Sequence, residues 1–225
     1  MNLTNFTYDT EHTITIPSGD IKLDGLLYVP KGATGLVLFV HGSGSSRFST
    51  RNQHVAHVLN DAKLATLLFD LLTPDEDLVD SHTREFRFDI GLLSARLIDT
   101  TRWCLKQDAI NHLPIGYFGA STGGAAALVA AAKESKHVYA VVSRGGRPDL
   151  AGDALDDVRS PTLLIVGGND DVVIQLNQTA GLKMRGCIKK LDIIPGATHL
   201  FEEHGALDKV ARLAKIWFLK YLTRS

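Results

Sequence analysis

The five residues Gly119-Ala120-Ser121-Thr122-Gly123 could supply a nucleophile. They stand between an apolar run at 113–118 and an alanine-rich, helix-forming stretch at 124–132. A serine on a sharp strand-to-helix turn projects its hydroxyl from the carboxyl edge of a sheet, and glycines two residues to either side remove the collisions that such a turn would cause. The backbone N–H of Thr122 then lies at the positive end of the following helix, where it can hold a developing oxyanion. The same residues also suit a plain helix N-cap, so the rest of the chain has to decide between the two readings.

A serine hydroxyl needs a base within hydrogen-bond reach, and the base needs an acid that fixes its tautomer. Two later loops can supply them. In Gly167-Gly168-Asn169-Asp170-Asp171-Val172-Val173, the spacing puts Asp170 at the apex of a loop that follows an apolar strand, with Val173 turning back into the core. Asp171 is its competitor, and two solvated turn aspartates are the plain alternative. In Gly196-Ala197-Thr198-His199, the histidine follows the last strand and precedes the terminal helix, which makes His199 the candidate general base. Among the nine histidines, His54 and His57 fall on a helix, His112 precedes a strand and His204 lies near the start of the final helix. A second oxyanion donor is expected from His41-Gly42-Ser43-Gly44-Ser45-Ser46: the N–H of Ser43 first, Gly44 second, with His41 bracing the loop. That loop lacks the Gly-Lys-Ser/Thr ending of a phosphate-cradling P-loop.

These loops need elements that end together. Alternation at 13–16 and 21–29 around a Pro-Ser-Gly-Asp turn reads as an antiparallel hairpin, and the continuous apolar run at 35–40 reads as a strand buried on both faces. Helices are expected near 52–61, 88–107, 175–184 and 207–222, with strands at 65–69, 138–142, 162–166 and 190–194. Strands alternating with helices imply an α/β fold with a mostly parallel central sheet and helices on both faces. Residues 71–83, rich in Asp and interrupted by Pro74, read as an irregular surface loop or small lid. The stretch between 142 and 162 is too short for a large cap, so an open site is expected.

Length suits one domain over 1–225. With 24 Lys plus Arg against 25 Asp plus Glu, the chain lacks the basic excess that nucleic-acid binding needs. Cys104 and Cys187 form neither a disulfide framework nor a metal-ligand spacing, which fits a reducing, cytoplasmic setting. No metal or organic cofactor is required by this chemistry. The N-terminus has no signal-peptide pattern and no apolar run is long enough to span a membrane, so the Asn-x-Thr triplets at Asn2, Asn5 and Asn177 are expected to stay unglycosylated.

Taken together, His41-Gly42, the Ser121 pentapeptide, Gly167-Gly168-Asn169-Asp170 and Gly196-Ala197-Thr198-His199 make nearly the whole chain resemble an α/β-hydrolase of the small, cap-poor dienelactone-hydrolase-like branch. Dienelactone hydrolases proper carry cysteine as nucleophile. The serine here moves the reading towards a serine esterase that cleaves small carboxylic esters or thioesters through an acyl-enzyme. An acyltransferase using the same triad and a non-catalytic binding protein are the alternatives. Arg47, Arg144 and Arg147 lie on strand-end loops and could hold a substrate carboxylate or phosphate; the alternative is pairing with acidic loop residues among Asp70, Asp75, Asp77, Asp149 and Asp153.

Overall fold

A computed structural model describes residues 6–222; the triplets at Asn2 and Asn5 and the N-terminal signal reading fall on residues outside that range or at its edge. The chain opens with strands β1 (Glu11–Ser18) and β2 (Ile21–Tyr28). It continues through β3 (Gly35–Val40), α1 (Thr50–Asp61), β4 (Leu64–Phe69), α2 (Pro74–Thr83), α3 (Ile90–Cys104), β5 (Ile115–Ala120) and α4 (Thr122–Lys133). It closes with β6 (Val138–Arg144), a 3-10 segment (Pro148–Asp157), β7 (Thr162–Gly167), α5 (Asp171–Lys183), β8 (Lys189–Ile194) and α6 (Ala206–Tyr221).

The eight strands form one sheet in the order β1-β2-β4-β3-β5-β6-β7-β8. β1 pairs antiparallel with β2, and β2 antiparallel with β4; every later pairing is parallel. Period-2 alternation divides each central strand between two cores. Leu36, Leu38 and Val40 face the layer that holds α3, α4 and α5, while Val37 and Phe39 face α1 and α6. A strand buried on both sides has no polar face, which is why β3, β4, β5 and β7 read as continuous apolar runs. This is the α/β-hydrolase fold with an antiparallel N-terminal hairpin and without a large cap. Among the described residues no helix is long and apolar enough to cross a membrane. Asn177 is buried, with its amide donating to the carbonyls of Gly146 and Val173, so it offers no acceptor for a sugar.

The expectation of an irregular loop at 71–83 is corrected. Residues Pro74–Thr83 form α2. Thr73 caps the helix with its hydroxyl, accepting the N–H of Glu76, while the Glu76 carboxylate accepts the N–H of Thr73. Pro74 occupies the first turn, where a missing N–H costs nothing, and Asp75, Glu76 and Asp77 complement the helix dipole. The helix is then pinned from below. Arg96, itself buried, donates to both oxygens of Glu76 at 2.8 and 2.6 Å.

The segment after α2 is tied down by a buried carboxylate. Asp80 accepts the N–H groups of Phe86 and Arg87, each at 2.9 Å, and the Arg87 Nε at 2.6 Å. Burial alone would raise the Asp80 carboxyl, but the hydrogen bonds from Arg87 and Phe86 outweigh it and hold the group below the usual carboxylate range. A depressed folded-state pKa stabilises the fold fully above the unfolded value near 4, and that stabilisation is lost as pH falls through the folded value. Urea unfolding measured against pH should therefore show Asp80→Asn costing roughly 2–3 kcal/mol at neutral pH and narrowing its gap to wild type below about pH 4. Thr73→Ala should cost about 1 kcal/mol at neutral pH. A pH-independent gap for Asp80→Asn would disprove the ion-pair account.

Candidate active site

β5 delivers Ser121 into a turn that α4 leaves at once. Ser121 adopts φ +52° and ψ −121°, a conformation that a non-glycine residue occupies only when its surroundings impose it. It holds the N-cap position of α4, yet its hydroxyl makes no capping hydrogen bond and remains half-buried. The plain N-cap reading is therefore not what the side chain does. The flanking glycines are required by close approach: a Cβ on Gly119 would stand 2.5 Å from the Gly123 carbonyl oxygen, and one on Gly123 would run into the carbonyl of Val40 at the end of β3. The turn is thus wedged against the neighbouring strand end.

Asp170 and His199 come together. Asp170 is the N-cap residue of α5 just past β7, His199 follows β8, and their side chains meet through a His199 Nδ1 to Asp170 Oδ2 hydrogen bond of 2.7 Å. With Nδ1 as donor to the carboxylate, Nε2 is left as the acceptor. Asp171 is exposed in the first turn of α5 and has no such contact, while Val173 turns into the core as its spacing implied. The turn before His199 is braced twice: the Asn169 amide donates to the Gly196 carbonyl at 3.0 Å, and the Thr198 N–H donates to Glu203 at 3.0 Å. Hydrogen bonding from Thr198 holds the Glu203 carboxyl below its ordinary range. Among the described residues, Ser121 Oγ and His199 form no direct hydrogen bond.

On the other flank, the loop after β3 presses against Ser121. A Cβ on Gly42 would lie 3.0 Å from Ser121 Cβ. His41 is buried and braces this loop, with Nδ1 bonded to the Gly42 carbonyl and Nε2 accepting the Leu71 N–H, both at 3.0 Å. Burial lowers its pKa, outweighing the backbone bond and the nearby Asp70 and Asp77, and the neutral tautomer fits both partners. The Ser43 hydroxyl meets the Thr122 hydroxyl at 3.1 Å, which aligns the two segments expected to donate to an oxyanion. The backbone N–H groups of Ser43 and Thr122 are bonded to no acceptor among the described residues.

The arginine rim is corrected in part. Arg47 is bonded to Asp70 and lies 3.6 Å from Asp24, and Arg147 makes a two-pronged contact with Asp149 at 2.9 and 2.7 Å. Both are neutralised by the acidic loop residues offered as the alternative. Arg144 is buried, and among the described residues its side chain bonds only Asn52. The three guanidinium groups do not converge on one open anion site. Residues that the sequence reading did not single out include Asp80, Arg87, Glu203 and Gly145; the Ser43 hydroxyl lies 3.5 Å from the Arg87 carbonyl, so the segment anchored by Asp80 adjoins the oxyanion loop. No local pattern marks such contacts, because they join segments that meet only in the fold. The capping box of α2, by contrast, was visible in Thr73-x-x-Glu76.

The comparisons with known proteins agree with this geometry at the level of family. The profile of the dienelactone hydrolase family matches residues 74–218. The crystal structure of a dienelactone hydrolase from Anabaena variabilis superposes with a TM-score of 0.93 at 57% identity, covering 95% of this chain and 98% of that one. Est1E from Butyrivibrio proteoclasticus shares the fold alone, at 21% identity and a TM-score of 0.76, with 92% of this chain and 98% of that one covered. Mycobacterium tuberculosis proteins that carry a provisional phosphoribosyl transferase name are 55% identical over 212 residues, which is 94% of this chain and 47% of theirs. The chain thus spans about half the length of those curated relatives. On its profile match, its near-complete likeness to the Anabaena enzyme and its sheet, the chain belongs to the dienelactone hydrolase family of α/β-hydrolases.

Proposed function

We propose that the protein hydrolyses carboxylic esters or thioesters of small substrates through an acyl-enzyme on Ser121. Ser121 Oγ attacks the carbonyl carbon as His199 Nε2 takes the hydroxyl proton; Asp170 holds the imidazole in that tautomer and stabilises the imidazolium. The N–H groups of Ser43 and Thr122 receive the oxyanion. His199 returns the proton to the leaving alcohol or thiol, and water, activated by the same imidazole, then releases the acid. The observation that carries this reading is the 2.7 Å Asp170–His199 bond past the ends of β7 and β8, one strand removed from the β5 end that carries a serine whose hydroxyl is not used for capping.

The phosphoribosyl transferase name belongs to proteins about twice as long as the region matched here. Hydrolysis is preferred over transfer of a phosphoribosyl group because the chain's likeness to the Anabaena dienelactone hydrolase extends over nearly the full length of both chains. Acyl transfer to an alcohol or thiol uses the same residues; product analysis with an added acceptor separates it from hydrolysis.

A panel of p-nitrophenyl esters of graded acyl length, with a fluorophosphonate probe as active-site label, tests the proposal. Wild type should turn over at least the short esters and take up the probe on Ser121, whereas Ser121→Ala should keep its circular dichroism and fall below roughly a thousandth of wild-type activity. Asp170→Asn should lose about a hundredfold or more in kcat, and Asp171→Asn should stay within about threefold. Folded protein that leaves the probe unreacted would remove the covalent mechanism, and a reversed ranking of the two aspartates would move the acid by one residue.

A further inference from the structure

The cation buried beside the site has no evident partner. Arg144 ends β6 and is 6% exposed, yet no carboxylate bonds it. Its Nη2 reaches only Asn52 Oδ1 in α1, at a long 3.4 Å, and its Nε is buried without an acceptor among the described residues. Burial pushes the guanidinium down to about 10, with Arg51 of α1 adding to the effect, so it is still charged at neutral pH. A desolvated cation with so little hydrogen bonding is costly, and it persists where the surroundings gain something from it.

What it touches is the chain just past His199. The guanidinium carbon stands 5.8 Å from the ring centroid of Phe201, on the ring face that a cation favours. Phe201 is 1% exposed and sits at φ +58°, a conformation that a bulky side chain rarely takes. That left-handed residue, with its N–H donating to the Thr198 carbonyl at 3.2 Å, turns the chain sharply round His199. The next residue along from Arg144 completes the seat. Gly145, at φ +52°, lies so close that a Cβ there would stand 3.1 Å from the His199 carbonyl oxygen and 3.5 Å from its Cε1. The same short segment also grips the nucleophile, since the Ser121 N–H donates to the Arg144 carbonyl at 3.2 Å and the Arg147 N–H donates to the Ser121 carbonyl at 3.1 Å.

We infer that Arg144 is a positioning residue: by clamping the Phe201 ring over the end of β6 it sets the His199 imidazole at a fixed place relative to Ser121 and Asp170. This rests on the proposed roles of Ser121 and His199. The guanidinium itself touches no substrate. The groups that face it are Asn52 and Arg51 from α1 and Phe201 from the histidine loop, and Arg51 in turn contacts Glu202 at 3.4 Å. Charge on the clamp is therefore shared between α1 and the loop that carries the base.

The test uses the full chain. Arg144→Met keeps length and removes charge, Arg144→Lys restores a cation without the planar fork, and Phe201→Leu removes the ring while leaving Arg144 in place, so the idea survives if the first variant fails to fold. Two readouts are taken: kcat and KM on the best ester, and the downfield proton resonance of the His199 Nδ1–H, assigned by its loss in Asp170→Asn. Arg144→Met and Phe201→Leu should each lower kcat roughly ten- to a hundredfold with KM within about twofold, and should broaden or shift the resonance; Arg144→Lys should recover part of both. Wild-type kcat together with an unchanged resonance in both variants overturns the inference. So does a raised KM at constant kcat, which would make Arg144 a substrate contact. If wild type cleaves no ester, the esterase reading fails by itself while the resonance still decides the clamp: retained in both variants, it sinks the clamp; lost in both, it upholds it.

Discussion

The left-handed turn at Ser121 is the constraint on which the site depends. Holding a serine at φ +52° costs on the order of 1–3 kcal/mol, and the backbone around it supplies the compensation. The Ser121 N–H is bonded to Arg144, and its carbonyl accepts the N–H groups of Gly124 and Arg147. Those bonds exist because β5 and β6 run parallel in a register that sets Ala120 opposite Arg144. On the other side, β3 pairs with β5 so that Val40 lies opposite Gly119, and only glycine at 119 and 123 lets α4 start that close to the strand end. The serine's orientation is thus fixed by three neighbouring strands and cannot relax without breaking the central sheet.

Charge in and around the site is mostly internal. Arg47, Arg87, Arg96 and Arg147 each meet a carboxylate of the protein, and His41 is neutral between two backbone partners. Such pairs contribute little net stability where they are exposed, but they fix loops in place, and they remove the field that would otherwise draw an anionic substrate. Apart from the buried Arg144, the donors left free beside Ser121 are dipolar: the unbonded N–H groups of Ser43 and Thr122 and the N-terminus of α4. Under the proposed mechanism, such donors favour an oxyanion that forms during acyl transfer over a charge carried permanently by the substrate.

Most of the fold was legible in the sequence, because its signals are local. Apolar runs mark β3 and β7 as doubly buried strands, and the spacing of the Ser121, Asp170 and His199 segments follows from loops at the carboxyl ends of parallel strands. The departure at 71–83 is also local in origin: Pro74 reads as a breaker, yet it stands in the first turn, where proline is favoured, beside a complete capping box. The arginines could not be assigned in the same way. Arg47 meets Asp70 across 23 residues and Arg144 meets Phe201 across two strands and a helix, so only folding reveals which cations are already paired. Arg147 and Asp149, two residues apart, were the pair that proximity in sequence could have joined.

The two flanks of the site are held by different groups, and each includes carboxylates that acid can reach. The flank of the Ser43 loop rests on α2 and the segment after it, secured by the carboxylates of Glu76 and Asp80; burial raises both, yet their arginine and backbone partners hold both below the ordinary range. Each therefore loses its contribution as pH falls through its folded value. The flank that carries His199 rests on its bond to Asp170, on the packing of Phe201 against Arg144, and on Glu203, which accepts the Thr198 N–H. Acid thus loosens both flanks through their carboxylates: Glu76 and Asp80 beside the Ser43 loop, and Glu203 beside the turn that carries His199.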